Sequence, residues 1–325
     1  MNILVTGCAG FIGFHFCNNL LKKYKSIKMI GIDNFNNYYS INLKKDRAIL
    51  LEKRFKNRIK IKKIDISEKK NLERIFKNNK INTIFNFAAQ AGVRYSLKYP
   101  SKYIKSNIVG FHNIIDLAVK YNVKKLIYAS SSSVYGGIKK KKLKENLNIN
   151  DPIQLYAATK ISNEMIANAY NKLHKLKVVG LRFFTVYGPW GRPDMAPMIF
   201  TKSILKNKEI EIFNNGKNYR DFTFIDDIID GVIKVFKNNK KKNFNNPIYN
   251  IGFGQSINVT KFINELENQL NKKAIKKFVP AQVGDMTRTA SDISKLRKDF
   301  NYKPKTNFKI GISKFLSWYK NYYNY

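Results

Sequence analysis

The sequence predicts an α/β fold built on a doubly wound parallel sheet, followed by a smaller α/β region towards the C-terminus. Short runs of apolar or β-branched residues alternate with longer stretches in which apolar positions recur every three or four residues. This alternation is typical of right-handed crossovers between parallel strands, with helices covering both faces of the sheet. The 325 residues, 44% of them hydrophobic, suffice for one large domain or two of ordinary size.

The first half of the chain gives the clearest pattern. Strands are predicted at 2–6, 27–33, 59–65, 82–88, 124–130 and 177–183, and helices at 11–24, 69–79, 107–121 and 153–174. Beyond about residue 184 the pattern loosens. Gly and Pro cluster in 187–197, which predicts a long loop of a kind that is often functional. After it we expect a helix at 197–207, a strand at 209–213 and a strand leading into a helix over 222–236.

The charge balance is strongly basic, with 61 Lys and Arg against 22 Asp and Glu and a formal net charge of +39. An excess of this size normally suggests a polyanionic partner. Only ten of the basic residues are Arg, however, and the Lys lie among abundant Asn and Ile, whose codons are also rich in A and T. No nucleic-acid module accompanies the charge, and the runs Lys139–Lys144 and Lys240–Lys242 are short and loop-like. We therefore expect a solvated, lysine-rich surface and no nucleic-acid partner.

Cysteine and histidine are scarce. Cys8 and Cys17 are too few for a disulfide framework, and three histidines are too few for a usual metal cluster. The start MNILVTG lacks the charged and apolar regions of a signal peptide, and no run of about 20 apolar residues could span a bilayer. The sequence therefore predicts a soluble, cytoplasmic protein without a metal or a membrane partner.

Three glycines follow the first predicted strand and open the first helix. Gly7, Gly10 and Gly13 would allow a tight turn and a close approach of the backbone to a pyrophosphate at the helix N-terminus. Asp33, twenty residues after Gly13 at the end of the second strand, can bind a ribose diol and would repel a 2′-phosphate. This context predicts a Rossmann-type fold with NAD as the cofactor. The three-residue glycine spacing points towards the short-chain dehydrogenases/reductases.

No linker or internal repeat separates the two halves of the chain. We therefore assign residues 1–183 to an NAD-binding domain, rejoined by about 222–252, and residues 184–325 mainly to a substrate-binding region. The second region should pack on the first and leave a cleft at the carboxyl ends of the strands, where open α/β sheets bind their ligands.

A Tyr and a Lys four residues apart are known as the catalytic pair of that group, but here the spacing alone is uninformative. It occurs four times, about as often as the abundance of Tyr and Lys gives by chance. Only Tyr156 and Lys160 lie within one continuous helical pattern, which places both side chains on one face. A phenol titrates near 10, so Tyr156 needs a nearby cation to act as a base, and Lys160 and the nicotinamide can supply it. The other pairs are Tyr24/Lys28, Tyr121/Lys125 and Tyr135/Lys139.

Eight segments spread over the whole chain carry a resemblance to a known family: TGCAGFIG, NFAAQAGVRYS, SSSSVYG, YAATK, LRFFTVYGPWGRPDMA, RDFTFIDDI, YNIG and GDMTRT. Any one of them is only suggestive, but together they are highly specific. Through them the sequence resembles the extended short-chain sugar-nucleotide epimerases of the NAD-dependent epimerase/dehydratase family, and among these the UDP-glucuronate 4-epimerases.

The resemblance implies a chemical role for the paired residues. Tyr156 would take the proton of the 4-hydroxyl of a UDP-sugar while NAD accepts hydride from carbon 4, and hydride would return to the other face of the rotated 4-keto sugar. Ser131 and Ser132 would hydrogen-bond the reacting oxygen, and Lys160 would bind the nicotinamide ribose. The family also implies a homodimer formed through the helices near 107–121 and 153–174. The other residues implied in cofactor binding are Phe11, Ile12, Asn34, Asp65, Ile66, Ala88, Ala89, Gln90 and Asn107, the last lying behind the active site.

The arginines point to a charged substrate, since five of the ten fall in the family segments. Arg forks bind phosphate or carboxylate through two hydrogen bonds, which Lys cannot copy. By family position Arg220 and Arg288 would bind the diphosphate, while Arg192 and Thr185 would hold the uronate carboxylate and suppress its loss as carbon dioxide. Arg94 is a further candidate in the substrate site, and Arg182 is interpreted as structural.

Several alternatives stay open. An epimerase acting on neutral UDP-glucose or UDP-N-acetylglucosamine is the main one, and the segment GPWGRPDMA argues against it. A 4,6-dehydratase would carry an Asp-Glu pair where Ser132 and Ser133 stand, and a uronate decarboxylase would carry an acid just before VYG. A non-catalytic NAD-binding regulator is the remaining alternative.

Overall fold

The computed structural model describes residues 1–238, 247–281, 284 and 286–325. At its centre lies a sheet of seven strands in which every neighbouring pair is parallel. From one edge to the other, the strands are β3 (Ile59–Lys63), β2 (Lys28–Asp33), β1 (Asn2–Thr6), β4 (Thr83–Asn86), β5 (Lys125–Ser131), β6 (Lys177–Phe183) and β11 (Ile248–Ile251). The chain thus winds outward from β1 in both directions, which opens a crevice beyond the carboxyl ends of β1 and β4.

Helices cover both faces of this sheet. Successive side chains of a strand point to opposite faces, so Ile3 and Val5 of β1 join one hydrophobic core whereas Leu4 joins the other. Helices α1, α2 and α9 pack on the first face, and α3, α6 and α7 on the second. The helices are α1 (Phe11–Lys23), α2 (Ile41–Arg54), α3 (Lys69–Lys77), α4 (Val93–Lys98), α5 (Pro100–Tyr103), α6 (Gly110–Lys120), α7 (Leu155–His174), α8 (Ala196–Leu205), α9 (Ile225–Lys237), α10 (Val259–Leu270), α11 (Ser294–Phe300) and α12 (Phe308–Tyr323).

Three small strand pairs accompany the second half of the chain. Strands β7 and β10 are parallel, β8 and β13 are parallel, and β9 and β12 are antiparallel. Their bounds are β7 (Thr185–Tyr187), β8 (Glu209–Phe213), β9 (Tyr219–Arg220), β10 (Phe222–Phe224), β12 (Ile257–Asn258) and β13 (Ile275–Val279). No helix in the described part of the chain combines the length and the apolar character needed to cross a membrane.

The doubly wound parallel sheet is confirmed, and the six strands predicted in the first half coincide with β1 to β6 within two residues at each end. The helix predicted at 107–121 is confirmed as α6 over Gly110–Lys120, and its first residues instead belong to a π-helical segment, Ile104–Val109, that leads into α6. Strand β11 adds to the sheet beside β6, while the domain boundary at 183/184 stays a prediction. Lys140, Lys141 and Lys142 lie in an exposed loop, and the run 240–242 lies outside the described residues.

Candidate active site

A cleft of about 1190 Å³ lies over the carboxyl ends of β1, β4 and β5. Its walls come from both halves of the chain: the glycine turn and the serine run on one side, and residues around Thr185, Arg192 and Arg220 on the other. Its floor includes Ala88, Ala89 and Gln90, which follow β4, and the turn contributes Phe11 and Ile12. Nearly all the candidate residues therefore line one cavity, although they are spread over more than 200 positions of the sequence.

The glycine turn is packed so tightly that side chains are excluded. Gly7 has a φ of +67°, in the left-handed region that favours glycine, and its N–H donates to the carbonyl of Ile32 at 2.8 Å. A Cβ on Gly7 would lie 2.7 Å from the backbone nitrogen of Ala88, and one on Gly13 would lie 2.1 Å from the carbonyl oxygen of Gly7. Helix α1 begins at Phe11 with no side-chain cap, so its first N–H groups are available to an anion at this turn.

We expect Gly13→Ala to weaken NAD binding about 10- to 100-fold, because the added methyl group overlaps backbone and a clash of this kind costs about 1–3 kcal/mol. The absorbance ratio at 260 and 280 nm of the purified variant and a titration with NAD measure the loss. Gly137→Ala is the control, since its Cβ would meet only the Ile153 side chain at 3.9 Å. An NAD affinity of Gly13→Ala equal to that of the control would contradict the role of this turn.

Two carboxylates lie at the expected ribose and adenine end of the cleft. Asp33 ends β2, and its oxygens accept hydrogen bonds from the N–H groups of Phe35 at 2.9 Å and Ala9 at 3.2 Å. Burial raises the pKa of Asp33, and these two hydrogen bonds oppose that shift. Asn34 donates to Asp65 at 3.0 Å. Burial would raise the pKa of Asp65, but hydrogen bonds from Asn34 and Ser67 outweigh it and hold this pKa below its usual value.

Asn107 supports the floor of the cleft from behind. Its side-chain oxygen accepts from the N–H of Gln90 at 2.7 Å, and its amide donates to the carbonyl of Gln90 at 3.0 Å and to the hydroxyl of Thr159 at 3.0 Å. The π-helical segment thus joins the loop after β4 to helix α7. Ile66, whose carbonyl accepts a hydrogen bond from the Asn113 amide of α6, lines the cleft itself.

Helix α7 presents Tyr156 and Lys160 to the serine run, as the helical spacing predicts. The Lys160 ammonium donates to the carbonyl of Ala129 at 2.8 Å and lies 5.9 Å from the centre of the Tyr156 ring. Burial lowers the pKa of Lys160 to about 8, although the charge of Glu164 opposes this. Ser131 ends β5 and exchanges hydrogen bonds with Ser133, and Ser132 begins the 3-10 turn beside it.

The protonation of Tyr156 depends on three influences. Burial raises the pKa of its phenol, whereas a hydrogen bond with Ser131 and the positive charge of Arg192 lower it. The guanidinium expected at the substrate therefore acts on the expected base as well. An added positive charge from a bound nicotinamide would act in the same direction.

Arg192 is held by an acidic neighbour that the sequence reasoning did not single out. Its Nε and Nη2 donate to the two carboxylate oxygens of Asp194 at 3.1 and 2.5 Å, and the phenol of Tyr38 donates to the same carboxylate at 2.8 Å. The Arg192 guanidinium carbon lies 5.8 Å from the centre of the Tyr38 ring. A side-on pair of this kind fixes the plane of the guanidinium and leaves its Nη1 edge for a further anion. Arg192, Asp194 and Thr185 all line the cleft.

The other candidate arginines differ in environment. Arg94 and Arg220 line the cleft, with Arg94 stacked 4.5 Å from the centre of the Phe213 ring. Arg288 lies beside the cleft, paired with Tyr219 in an isolated β-bridge and 5.3 Å from its ring centre. Arg182 is buried and binds both oxygens of Glu164, at 2.9 and 2.7 Å, as expected for a structural arginine.

Comparison with known proteins gives a consistent result. A model of the NAD dependent epimerase/dehydratase family matches residues 3–252. Among curated relatives, UDP-glucuronate 4-epimerase 4 of Arabidopsis thaliana is 40% identical over 338 residues, covering 100% of this chain and 76% of that protein. Protein CapI of Staphylococcus aureus is 42% identical over 337 residues, covering 99% of each. Among solved structures, UDP-glucuronic acid 4-epimerase from Bacillus cereus in complex with UDP-glucuronic acid and NAD superposes with a TM-score of 0.93 at 34% identity, covering 99% of this chain and 100% of that one.

Proposed function

The chain belongs to the NAD dependent epimerase/dehydratase family, and on that basis we propose that it interconverts UDP-glucuronate and UDP-galacturonate by inverting carbon 4. The cofactor of this epimerase is NAD. The observation that carries the proposal is the placement of Tyr156 and Arg192 in one cleft, close enough that the arginine's charge lowers the pKa of the tyrosine. A base for the 4-hydroxyl and a site for the neighbouring carboxylate are then within reach of the same sugar.

The glycine turn supports NAD as the cofactor, since the absence of side chains at Gly7 and Gly13 allows the tight turn that leaves the uncapped N-terminus of α1 open to a pyrophosphate. Bound there, NAD supplies the acceptor and donor of hydride at carbon 4. Tyr156 takes the proton of the 4-hydroxyl and later returns it to the oxygen of the 4-keto sugar. Ser131, which hydrogen-bonds with this phenol, holds the reacting oxygen in line. No external reductant is consumed because the cycle restores its starting redox state.

Next to the reacting carbon, Arg192 and Thr185 bind the uronate carboxylate. Asp194, itself hydrogen-bonded by Tyr38, already occupies one edge of the guanidinium, so the uronate meets the remaining edge. Arg94 and Arg220 line the same cleft and, together with Arg288 beside it, bind the diphosphate and nucleotide end. Arg forks suit each of these anions better than the abundant Lys would.

The substrate is tested by incubating the purified protein, without added reductant, with UDP-glucuronate and with UDP-glucose in separate samples. NMR should detect the 4-epimer of the uronate and little or no product from the neutral sugar. Conversion of only UDP-glucose would overturn the proposed substrate, and no turnover of either sugar by protein that contains NAD would overturn the epimerase assignment.

We further propose that two copies associate through α6 and α7, the helices expected to form a dimer. On α7, Ile161, Met165, Ala169 and Leu173 recur every four residues, and Met165 and Leu173 are 53% and 74% exposed. Val109, just before α6, is 43% exposed. Such an apolar stripe on packed helices favours contact with a second copy. A cytoplasmic location stays a prediction, supported by two unpaired thiols.

We expect Met165→Arg to convert this dimer into a monomer, because the variant places a charge in the centre of the apolar stripe. Sedimentation velocity at micromolar concentration measures the change. Ile49→Arg is the matched control, since Ile49 is equally accessible at 60% exposure but lies on α2. A wild-type monomer, or a Met165→Arg dimer as tight as the control, would rule out this interface.

A further inference from the structure

Arg47 is a fully buried arginine to which neither the sequence motifs nor the proposed reaction gives a role. It lies on α2 with 0% exposure, and no carboxylate in the described part of the chain lies within ion-pair distance of it. Burying a cation without a counter-ion is costly unless hydrogen bonds compensate for the lost water. The acceptors around Arg47 therefore indicate what the residue does in this fold.

The guanidinium of Arg47 bridges the two halves of the molecule. Nη1 donates to the carbonyl of Ala9, within the glycine turn, and to the hydroxyl of Tyr39, each at 2.9 Å. Nη2 donates to the carbonyls of Trp190 at 2.5 Å and Gly191 at 3.2 Å. The carbonyls of Trp190 and Gly191 immediately precede Arg192 in the chain. One planar group thus fixes the distance between the cofactor turn and the backbone that carries the substrate arginine.

The neighbouring contacts hold the same short segment. His15 of α1 hydrogen-bonds the carbonyl of Pro189 at 2.8 Å, and burial lowers the pKa of His15 to about 4, so it remains neutral near pH 7. Trp190 has a φ of +58° and packs against Phe14 and Trp318 with ring centres 5.3 and 5.5 Å away. A left-handed backbone at a bulky residue is unfavourable and persists only where its surroundings impose it. Three successive carbonyls, 189 to 191, are bound by side chains from the cofactor half.

We infer that Arg47 is a positioning residue for the substrate carboxylate, which sets the place of Arg192 relative to the glycine turn. This inference rests on the proposed function. Arg47 does not itself line the cleft, so it acts through the backbone of Arg192. Its loss lets the segment around Trp190 relax and moves Arg192 away from the uronate, while the diphosphate and nucleotide contacts at Arg94 and Arg220 are untouched.

The test compares Arg47→Lys with Arg54→Lys in the full-length protein loaded with NAD. Lysine keeps the charge but cannot reach acceptors on both sides at once. Arg54 lies on the same helix but is exposed and donates a hydrogen bond to Asn18, so its substitution is the matched control. We expect Arg47→Lys to raise the KM for UDP-glucuronate at least tenfold, with a smaller change in kcat, and to leave the Kd for UDP within about twofold. A UDP-pentose should also appear by mass spectrometry.

A double-mutant cycle separates positioning from a general loss of stability. If Arg47 acts through Arg192, adding Arg47→Lys to Arg192→Lys causes no further rise in KM. The inference is wrong if the two substitutions raise KM by independent factors that multiply in the double variant. It is also wrong if Arg47→Lys weakens the binding of UDP by as large a factor as it raises the KM for UDP-glucuronate. Should Arg47→Lys fail to fold, His15→Phe removes only the Pro189 contact and is expected to give a smaller but equally selective rise in KM. Failure of the wild-type protein to convert UDP-glucuronate would instead contradict the proposed function itself.

Discussion

Tyr156→Phe is expected to lower the rate of epimerisation by about 10²- to 10⁴-fold, the range typical of losing a positioned proton donor and acceptor. The phenol lines the cleft, interacts with Ser131 at the end of β5 and is the proposed base for the 4-hydroxyl. Removing one oxygen leaves the ring and its contact with Tyr103 in place. Affinities for NAD and for UDP should therefore stay within a few-fold of wild type. Titration calorimetry measures these affinities, and NMR measures the rate of epimerisation.

Tyr24→Phe is a control with the same spacing to a lysine. Tyr24 is the C-cap residue after helix α1 and Lys28 begins β2, so the two residues do not share a helix. The Tyr24 hydroxyl is buried without a hydrogen-bond partner in the described part of the chain, so its removal should change neither rate nor fold appreciably. Epimerisation by Tyr156→Phe at more than a tenth of the wild-type rate would show that another group is the base.

The features that could be predicted from the sequence are those formed within a short stretch of chain. Gly7, Gly10 and Gly13 belong to one strand–turn–helix unit, and Tyr156 and Lys160 to one turn of helix. Their packing follows from backbone geometry that a local pattern specifies. The contact between Tyr38 and Asp194 instead joins residues 156 positions apart, and that between Arg47 and Trp190 joins residues 143 apart. No local pattern carries such information.

Helix α2 is absent from the elements predicted from the sequence because its buried face is partly charged. Its buried face includes Lys44 and Arg47 as well as Leu43, Ala48 and Leu51. The apolar repeat that normally marks an amphipathic helix is therefore interrupted by charged residues, in a chain already rich in Lys. Lys44 donates to both the backbone and the side-chain oxygen of Asn36, and burial lowers its pKa to about 8. Lys44 and Arg47, which interrupt the apolar repeat of this helix, are also the residues that connect it to the loops of the cofactor and substrate sites.

Arg182 and Arg192 illustrate a distinction that residue type alone does not make. Both lie in the family segments and both bind a carboxylate through two hydrogen bonds. The side chains of Arg182 and Glu164 are only 4% and 3% exposed, whereas those of Arg192 and Asp194 are 22% and 25% exposed and line the cleft. The first pair is closed to ligands, and the second has an edge that a substrate anion can reach.

Arg192→Lys and Arg192→Met are both expected to raise the KM for UDP-glucuronate about 10- to 100-fold, since a charge-assisted hydrogen bond contributes about 1.5–3 kcal/mol. The 4-keto sugar is a β-keto acid, which loses carbon dioxide once its carboxylate can turn perpendicular to the ketone. Neither replacement has the planar fork that holds this carboxylate. Mass spectrometry should therefore detect a UDP-pentose from both variants and none from the wild type.

The two replacements differ in their expected pH dependence, because only lysine keeps a positive charge near Tyr156. The charge of Arg192 lowers the pKa of that phenol, so its loss in Arg192→Met raises the pKa and leaves less of the basic form at any pH below it. The rising, acidic limb of kcat against pH should move to higher pH in Arg192→Met and stay near its wild-type position in Arg192→Lys. Identical pH profiles for all three proteins would show that Arg192 does not act on the base, and unchanged KM without pentose would show that it does not hold the carboxylate.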